Sequence, residues 1–332
     1  MSGPDDLRPG VRPGAEFVMK RIIILVASLG ALLLMPQPTS ASAQVQVQRA
    51  TPAVPTYQII GAAKLNALVA GGLPQATANY LFNIPKAFIA VGANGDPASL
   101  ALSDAAKVRA GYPNATGTWL FNSYGPNWLT KNPGILGTFG PGGAYGPGKP
   151  NPANLAAVMY DPEGQASNGT PQAECDALEA GNLGTLKAAI ALVHAKGLKF
   201  LFTPSADVGM LGSEGGFPNK YITWLRQNRG AWAAAGEDYY SIQSQQAEGT
   251  SIFVPFIQFA MALAHAAAPN VVTFIGIGIN PHVPPTVITT RILRDAYRTG
   301  LAFGAGGFWQ NVQRHTGANV SVSVYVHFLE RL

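Results

Sequence analysis

The sequence predicts an α/β protein built as a single (β/α)8 barrel of the TIM type. From Thr56 onward, short apolar runs alternate with helical stretches, a pattern typical of parallel sheets with right-handed helical crossovers. We count about seven or eight strand candidates, and the chain without its N-terminal region approaches the roughly 250 residues typical of this barrel. An open dinucleotide-binding sheet would need a Gly-rich turn after its first strand, and none is present there.

The strands are predicted where short apolar runs end in polar or turn-forming residues, and the helices where apolar residues recur every three or four positions. The helix expected at 181–196, for example, carries Leu186, Ile190 and Val193 on one face and is stopped by Gly197. The Gly/Pro-rich segment 125–152 is expected to be a long loop. Strands are expected at 86–92, 118–124, 155–160, 198–203, 238–245, 271–279, 306–311 and 320–325, and further helices at 221–235, 253–268 and 286–301.

The N-terminal region has the three parts of a secretory signal peptide. A basic start at Lys20 and Arg21 precedes an apolar run at 22–35, and small residues follow up to Ala43. The apolar run is short for a membrane span. We therefore expect export to the periplasm or the extracellular space, with cleavage near Ala43.

Three segments follow from this interpretation. Residues 1–43 are expected to be an N-terminal extension with a signal peptide, residues 44–55 a linker, and residues 56–332 the catalytic-like barrel domain. Translation starts at Met1 or Met19. After cleavage we expect no stable membrane insertion; an uncleaved N-terminal anchor is the alternative.

Composition and motifs exclude several classes of function. The net charge of +5 is spread along the chain without a basic, aromatic-interleaved cluster, so nucleic acid is not an expected partner. Cys175 lies between acidic residues, which raise the pKa of a thiol and argue against a nucleophile. No histidine has a companion at metal-ligand spacing, and Pro150 stands where a phosphate loop needs Ser or Thr. We expect neither a metal nor another cofactor; the oligomeric state stays open.

Polar side chains follow the predicted strands, and in this barrel functional residues come from the carboxyl ends of strands. Amides, carboxylates and aromatic rings at one rim suit a neutral, hydroxyl-rich ligand, and carbohydrate is the simplest candidate. The residues expected to bind it are Asn122, Tyr124, Tyr160, Gln243, Gln245, Asn280, Trp309 and Asn311.

Two carboxylates end the strand expected at 155–160. Glycoside hydrolysis normally uses one protonated carboxyl as acid and a second as nucleophile or base. Glu163, near an apolar rim and beside Asp161, is expected to have a raised pKa and to act as the general acid. Asp161 is expected to position it or to stabilise positive charge. Asp207 and Glu248 are the candidates for the second carboxylate, and the sequence does not rank them.

These motifs resemble those of secreted TIM-barrel glycoside hydrolases and of exported bacterial barrel proteins. Asp161-Pro-Glu163 is similar to the end of the Asp-x-Glu signature of chitinase-like barrels, in which the Glu is the acid; the aspartates preceding that pair in the signature are absent here. The resemblance extends over about residues 80–328 and implies carboxylate-catalysed hydrolysis of a polysaccharide. The motifs that carry it are the segments 158–163, 199–207, 240–248 and 307–311.

Other interpretations of the same residues remain open. A non-catalytic carbohydrate-binding barrel would keep the polar rim without the second carboxylate, and a surface interaction protein would bind no small ligand. Aspartate after a strand is a common turn former, which is an alternative role for Asp161. Gln243 and Gln245 alternate along one strand, and as buried amides they are equally typical of interior residues bonded to each other.

Overall fold

The computed structural model describes residues 56–82, 86–91, 122–124, 128–131, 134–151, 155–163, 170–210, 212–278, 287–312 and 322–332. Its eight strands form a closed parallel barrel in chain order, with the last strand paired to the first. The predicted (β/α)8 architecture is therefore confirmed. The strands are β1 (Tyr57–Gly61), β2 (Ala87–Val91), β3 (Asn122–Tyr124), β4 (Leu155–Tyr160), β5 (Lys199–Phe202), β6 (Tyr239–Ile242), β7 (Val272–Gly278) and β8 (Gly307–Asn311).

Helices follow the strands and cover the outside of the barrel. Among the described residues, no helix is long and apolar enough to span a membrane. The expected signal peptide and linker, residues 1–43 and 44–55, lie outside the described residues. The α-helices are α1 (Ala62–Ala70), α2 (Gln75–Phe82), α3 (Ile135–Phe139), α4 (Gln172–Glu179), α5 (Gly184–His194), α6 (Asn219–Arg226), α7 (Phe253–Ala267), α8 (Thr290–Ala302) and α9 (Val322–Leu329).

The end of the chain is a helix, not a strand. The strand expected at 320–325 is wrong, because β1 pairs with β8 and the closed barrel leaves no free edge for another strand. The segment instead forms α9, in which the buried residues are Tyr325, Val326, Phe328 and Leu329. Their i, i+1, i+3, i+4 spacing is that of a helix face packed on a core.

The first strand was not expected from the sequence, and the elements in the middle of the chain differ from the expected ones. β1 is short and contains the polar Gln58, whose amide donates to Thr56 Oγ1 at 3.0 Å. The single helix expected at 221–235 is divided, because Asn228 has a left-handed backbone (φ 52°) between α6 and a 3₁₀ helix at Arg229–Ala235. The loop expected at 125–152 contains α3.

Aromatic side chains fill the amino-terminal half of the barrel interior. Tyr57, Phe88, Tyr239 and Phe274 pack edge to face or stacked, with ring centroids 5.1 Å apart for Phe88–Tyr239 and 5.7 Å apart for Tyr239–Phe274. Rings in these geometries stabilise one another beyond their burial. The interior below the carboxyl ends of the strands is therefore packed, and the polar residues above it line the opposite end.

Glu237 lies at the amino-terminal face of the barrel, just before β6, and makes stability depend on pH. Burial raises the pKa of Glu237 to about 8, although backbone N–H groups of residues 235–237 partly oppose the rise. Because its pKa is raised in the folded state, the stability that Glu237 contributes is fully present below about pH 4.5 and is lost as pH rises through about 8.

We expect Glu237→Gln to remove this loss. Relative to the wild type, the variant should gain stability between about pH 4.5 and pH 8, by at most about 5 kcal/mol, and the difference should stay level above pH 8. Urea unfolding at a series of pH values measures the difference. Glu214→Gln, at an exposed position, is the matched control and should keep the wild-type pH dependence. A constant offset between Glu237→Gln and the wild type at all pH values would contradict the prediction.

Candidate active site at the carboxyl ends of the strands

Asp161 projects into the barrel at the end of β4. Side chains alternate along a strand, and Ala157 and Met159 belong to the interior cluster, so Asp161 continues the inward face. Its carboxyl group is buried and accepts a hydrogen bond from Gln243 Nε2 at 2.8 Å. The expectation that this carboxyl group faces inward at the mouth therefore agrees with the geometry.

A chain of side-chain amides runs from Asp161 along the end of β6. Gln243 Nε2 also donates to the carbonyl oxygen of Thr203 at 2.7 Å, and Gln245 Nε2 donates to Gln243 Oε1 at 3.0 Å. A carbonyl can only accept, so the orientation of both amides is fixed. Gln245 Oε1 is left as a buried acceptor without a hydrogen-bond partner among the described residues. The interpretation as interior amides bonded to each other is therefore confirmed, and the ligand-binding role of the pair stays a prediction.

The two carboxyl groups of the predicted acidic pair have different environments. Burial raises the pKa of Asp161 well above that of an ordinary aspartate, and the charge of Glu163 raises it further, whereas hydrogen bonds with Thr203 and Gln243 oppose the rise. Glu163 is only half-buried, and its backbone N–H donates to Thr170 Oγ1 at 3.0 Å. Desolvation therefore acts on Asp161, and the raised pKa expected for Glu163 stays a prediction.

The candidates for the second carboxylate occupy different places. The carboxylate of Asp207 accepts from Ser205 Oγ in the loop after β5. Glu248 is buried, and its Oε1 accepts from the backbone N–H of Gly278 at 2.7 Å, beyond the last paired residues of β6 and β7. Burial raises the pKa of Glu248 well above its usual value. Glu248 is therefore bonded to the end of β7, whereas Asp207 is bonded within the loop after β5.

Tyr160 does not belong to the site, and its assignment to ligand binding is wrong. It precedes the inward-facing Asp161, so its side chain lies on the opposite, outer face of β4. Its ring stacks on Phe202 at 5.6 Å, and its hydroxyl donates to Glu174 Oε2 at 2.9 Å under α4. Tyr160 therefore joins β4 to α4 in the outer layer of helices.

Trp309 in β8 and Gly276 in β7 form part of the wall of the candidate site. Trp309 packs on the interior cluster while staying partly exposed, and it pairs with Gly276 in the neighbouring strand. The absence of a side chain at Gly276 gives room to the amide of Gln245, because a Cβ there would overlap Gln245 Oε1. The half-buried Asn311, two residues beyond Trp309, continues the same face.

We expect Gly276→Ala to displace the Gln245 amide and break the amide chain. The predicted loss of unfolding free energy is about 1–3 kcal/mol, because added volume in a packed interior forces neighbours aside. Chemical denaturation measures the loss. Gly137→Ala is the control, since a Cβ there meets nothing within 4 Å. Equal stabilities of the two variants would show that Gln245 is not held against Gly276.

Several predicted site residues have no described side-chain position. The backbones of Asn122 and Tyr124 form β3, but their side chains lie outside the described part of the structure, as does the whole of Asn280.

Cys175 is buried in α4; burial raises the pKa of its thiol to about 11, and the charges of Glu174, Asp176 and Glu179 add to the rise. The effect expected from its acidic neighbours is therefore confirmed.

Lys220 is a site residue that the sequence analysis missed. It lies in the first turn of α6, is 5% exposed, and donates from Nζ to Gln246 Oε1. A lysine in a helical stretch carries no motif. The only signal available in the sequence was its position 13 residues after Asp207, at the start of the helix that follows that strand end.

Comparison with known proteins yields structural likeness only. No protein-family model matches the chain, and no curated protein matches it. A candidate alpha-L-fucosidase from Bacteroides thetaiotaomicron is 11% identical, with 89% of this chain and 97% of that chain covered and a TM-score of 0.45. Bee venom hyaluronidase is 10% identical, with 83% and 96% covered and a TM-score of 0.39.

Barrels with other activities match equally well. A truncated 3-deoxy-D-arabino-heptulosonate 7-phosphate synthase from Thermotoga maritima is 8% identical, covers 83% of this chain and 84% of its own, and has a TM-score of 0.39. At these identities and TM-scores the likenesses carry no argument about activity. The strand order establishes the fold by itself: the chain is a closed, parallel (β/α)8 barrel with a carboxylate and amide cluster at the carboxyl ends of its strands.

Proposed function

We propose that the chain is a glycoside hydrolase that cleaves a glycosidic bond of a polysaccharide by carboxylate acid/base catalysis. The observation that carries the proposal is the Asp161–Glu163 pair, two coupled carboxyl groups at a strand end of which one is buried and the other half-exposed. Unequal environments of this kind separate the roles of paired acids in enzymes. The fold alone would support many other chemistries.

The roles proposed for the two carboxyl groups follow from their different burial. Asp161 and Glu163 disfavour the doubly ionised state, so the pair retains a proton, and Asp161 holds it because its carboxyl group is desolvated. The proton passes from Asp161 to the half-exposed Glu163, which donates it to the leaving oxygen as the glycosidic bond breaks, and the pair recovers a proton from water in the hydrolytic step. Asp207 acts as the second carboxylate, as nucleophile or as base for water, according to its distance from Glu163.

The surrounding groups favour a neutral ligand rich in hydroxyl groups. Gln245 Oε1 is a buried acceptor without a partner among the described residues, and leaving it unmatched costs about 1–3 kcal/mol. A ligand hydroxyl at this place removes that cost. Trp309 offers a partly exposed indole beside Gly276, and such a face packs against the apolar side of a sugar ring.

A second candidate is a non-catalytic carbohydrate-binding barrel. It is favoured by the position of Glu248, whose carboxyl group is engaged with Gly278 in the sheet and leaves Asp207 as the sole second carboxylate among the candidates. A barrel whose Asp207 serves only to bond Ser205 would bind sugar without cleaving it.

Calorimetry and product analysis separate the two functions. The wild-type chain is titrated with a panel of soluble oligosaccharides, and each mixture is then analysed for shortened products. We expect heat of binding together with cleavage for at least one oligosaccharide. Binding without cleavage across the panel supports the second candidate, and neither binding nor cleavage would reject both.

We also propose that the barrel acts outside the cytoplasm, because residues 1–43 carry the features of a signal peptide and polysaccharides are met there. Amino-terminal sequencing of the exported protein is the test. A mature chain that starts close to residue 44 supports the proposal, and retention of the full chain inside the cell contradicts it.

A further inference from the structure

Gln243 is a buried amide directly after β6, and its hydrogen-bonding groups are already in use. Its Nε2 donates to Asp161 Oδ1 at 2.8 Å and to the carbonyl oxygen of Thr203 at 2.7 Å, and its Oε1 accepts from Gln245 Nε2 at 3.0 Å. A side-chain amide has two N–H donors, and these two acceptors take both of them. A ligand could therefore receive a hydrogen bond from Gln243 only by displacing one of these partners.

The carbonyl oxygen of Thr203 fixes the direction in which the Gln243 amide points. Half a turn of the amide would exchange Nε2 and Oε1 and would set Oε1 against a backbone carbonyl, which has no proton to donate. Gln245 acts in the same sense, because its Nε2 donates to Gln243 Oε1. The group that faces Asp161 Oδ1 is therefore an N–H donor, whether the carboxyl group of Asp161 is neutral or ionised.

We propose that Gln243 is a positioning residue of the acidic pair, which keeps Asp161 Oδ1 as an acceptor and thereby places the proton of the neutral carboxyl group on Oδ2. Its importance for catalysis rests on the proposed function, whereas the placement of the proton does not. Hydrogen bonds to an ionised acceptor are roughly twice as strong as those between neutral groups. The amide therefore also favours release of the proton from Oδ2.

Carbon-13 NMR titration of the Asp161 carboxyl group tests the inference without any substrate. In Gln243→Met, which keeps the length of the side chain without its donors, we expect the acid dissociation constant of Asp161 to fall about tenfold. In Gln245→Met it should change by less than about twofold, because the carbonyl of Thr203 still orients the amide. Gln258→Met, at an exposed position in α7, is the matched control. An unchanged constant in Gln243→Met, or equal changes in Gln243→Met and Gln245→Met, would overturn the inference.

The wild type supplies a second measurement that does not depend on the folding of a variant. Nitrogen-15 NMR follows the two side-chain N–H protons of Gln243, assigned by their proximity to Asp161 and Thr203, as the pH is changed. The proton bonded to Asp161 Oδ1 should shift when this carboxyl group ionises, and by more than the proton bonded to the Thr203 carbonyl. Equal shifts of the two protons, or none, would contradict the placement.

Kinetics on the oligosaccharide that the wild type cleaves separate positioning from ligand binding. A positioning role predicts that Gln243→Met moves the alkaline limb of kcat to higher pH by about one pH unit and leaves the affinity within about twofold of the wild type. Lost affinity with an unmoved pH profile would overturn it. If the NMR results are found and no glycoside is cleaved, the hydrolase proposal fails while the placement of the proton stands.

Discussion

Glu174→Ala is expected to lower the free energy of unfolding by about 3–5 kcal/mol, because two buried donors lose their acceptor at about 1–3 kcal/mol each. Glu174 is 6% exposed in the first turn of α4. Its carboxylate accepts from the backbone N–H groups of Leu129 and Thr130, both at 2.8 Å, from Thr130 Oγ1 at 2.5 Å and from the Tyr160 hydroxyl at 2.9 Å. The substitution leaves the Leu129 N–H and the Tyr160 hydroxyl buried without an acceptor, whereas the Thr130 donors are partly exposed to water.

Asp176→Ala is the matched control for this prediction. Asp176 lies on the exposed side of the same helix and accepts a hydrogen bond from Gln172 Nε2 at 2.5 Å. Urea unfolding of both variants should show a large loss for Glu174→Ala and a change within about 0.5 kcal/mol for Asp176→Ala. Similar losses in the two variants would mean that Glu174 does not anchor the loop between β3 and β4 to the helix layer.

Glu163→Gln is expected to reduce glycoside hydrolysis at least about 100-fold while leaving affinity for the oligosaccharide largely intact. General acid catalysis contributes about 10²–10⁴-fold, and glutamine keeps the size of the side chain without its transferable proton. Steady-state kinetics on the oligosaccharide that the wild type cleaves measure the loss, and calorimetry measures the affinity.

Asp161→Asn is a separate arm of the same experiment. If Asp161 holds the proton of the pair, its loss should change the pH dependence of hydrolysis as well as its rate, because the like-charge coupling to Glu163 disappears. Asp295→Asn controls for the removal of a carboxylate far from the mouth. Full hydrolytic activity of the Glu163→Gln variant would exclude Glu163 as the general acid.

Much of the fold could be predicted because β4 to β8 are apolar runs that alternate with well-formed helices. The wrong assignments of secondary structure lie where the local sequence pattern and the tertiary packing favour different structures. Residues 320–325 alternate as a strand would, but closure of the barrel between β1 and β8 leaves no partner, and burial of Phe328 and Leu329 selects a helix. β1 was missed because its polar Gln58 breaks a run of only five residues.

The site was predictable as far as it follows from strand ends. Asp161 was found because parallel strands present their carboxyl ends at one rim. Tyr160 could have been excluded by the same alternation, since adjacent residues of a strand face opposite sides. Lys220 could not be found, because its burial and its hydrogen bond to Gln246 depend on how α6 packs beside the loop after β6.

The central claim is that two coupled carboxyl groups of unequal burial face the mouth of the barrel. Carbon-13 NMR titration of the Asp161 carboxyl group, in the wild type and in Glu163→Gln, tests it most directly. We expect the pKa of Asp161 to lie well above that of an ordinary aspartate because of burial, and to fall when the charge of Glu163 is removed. An ordinary aspartate titration, identical in both proteins, would contradict the account.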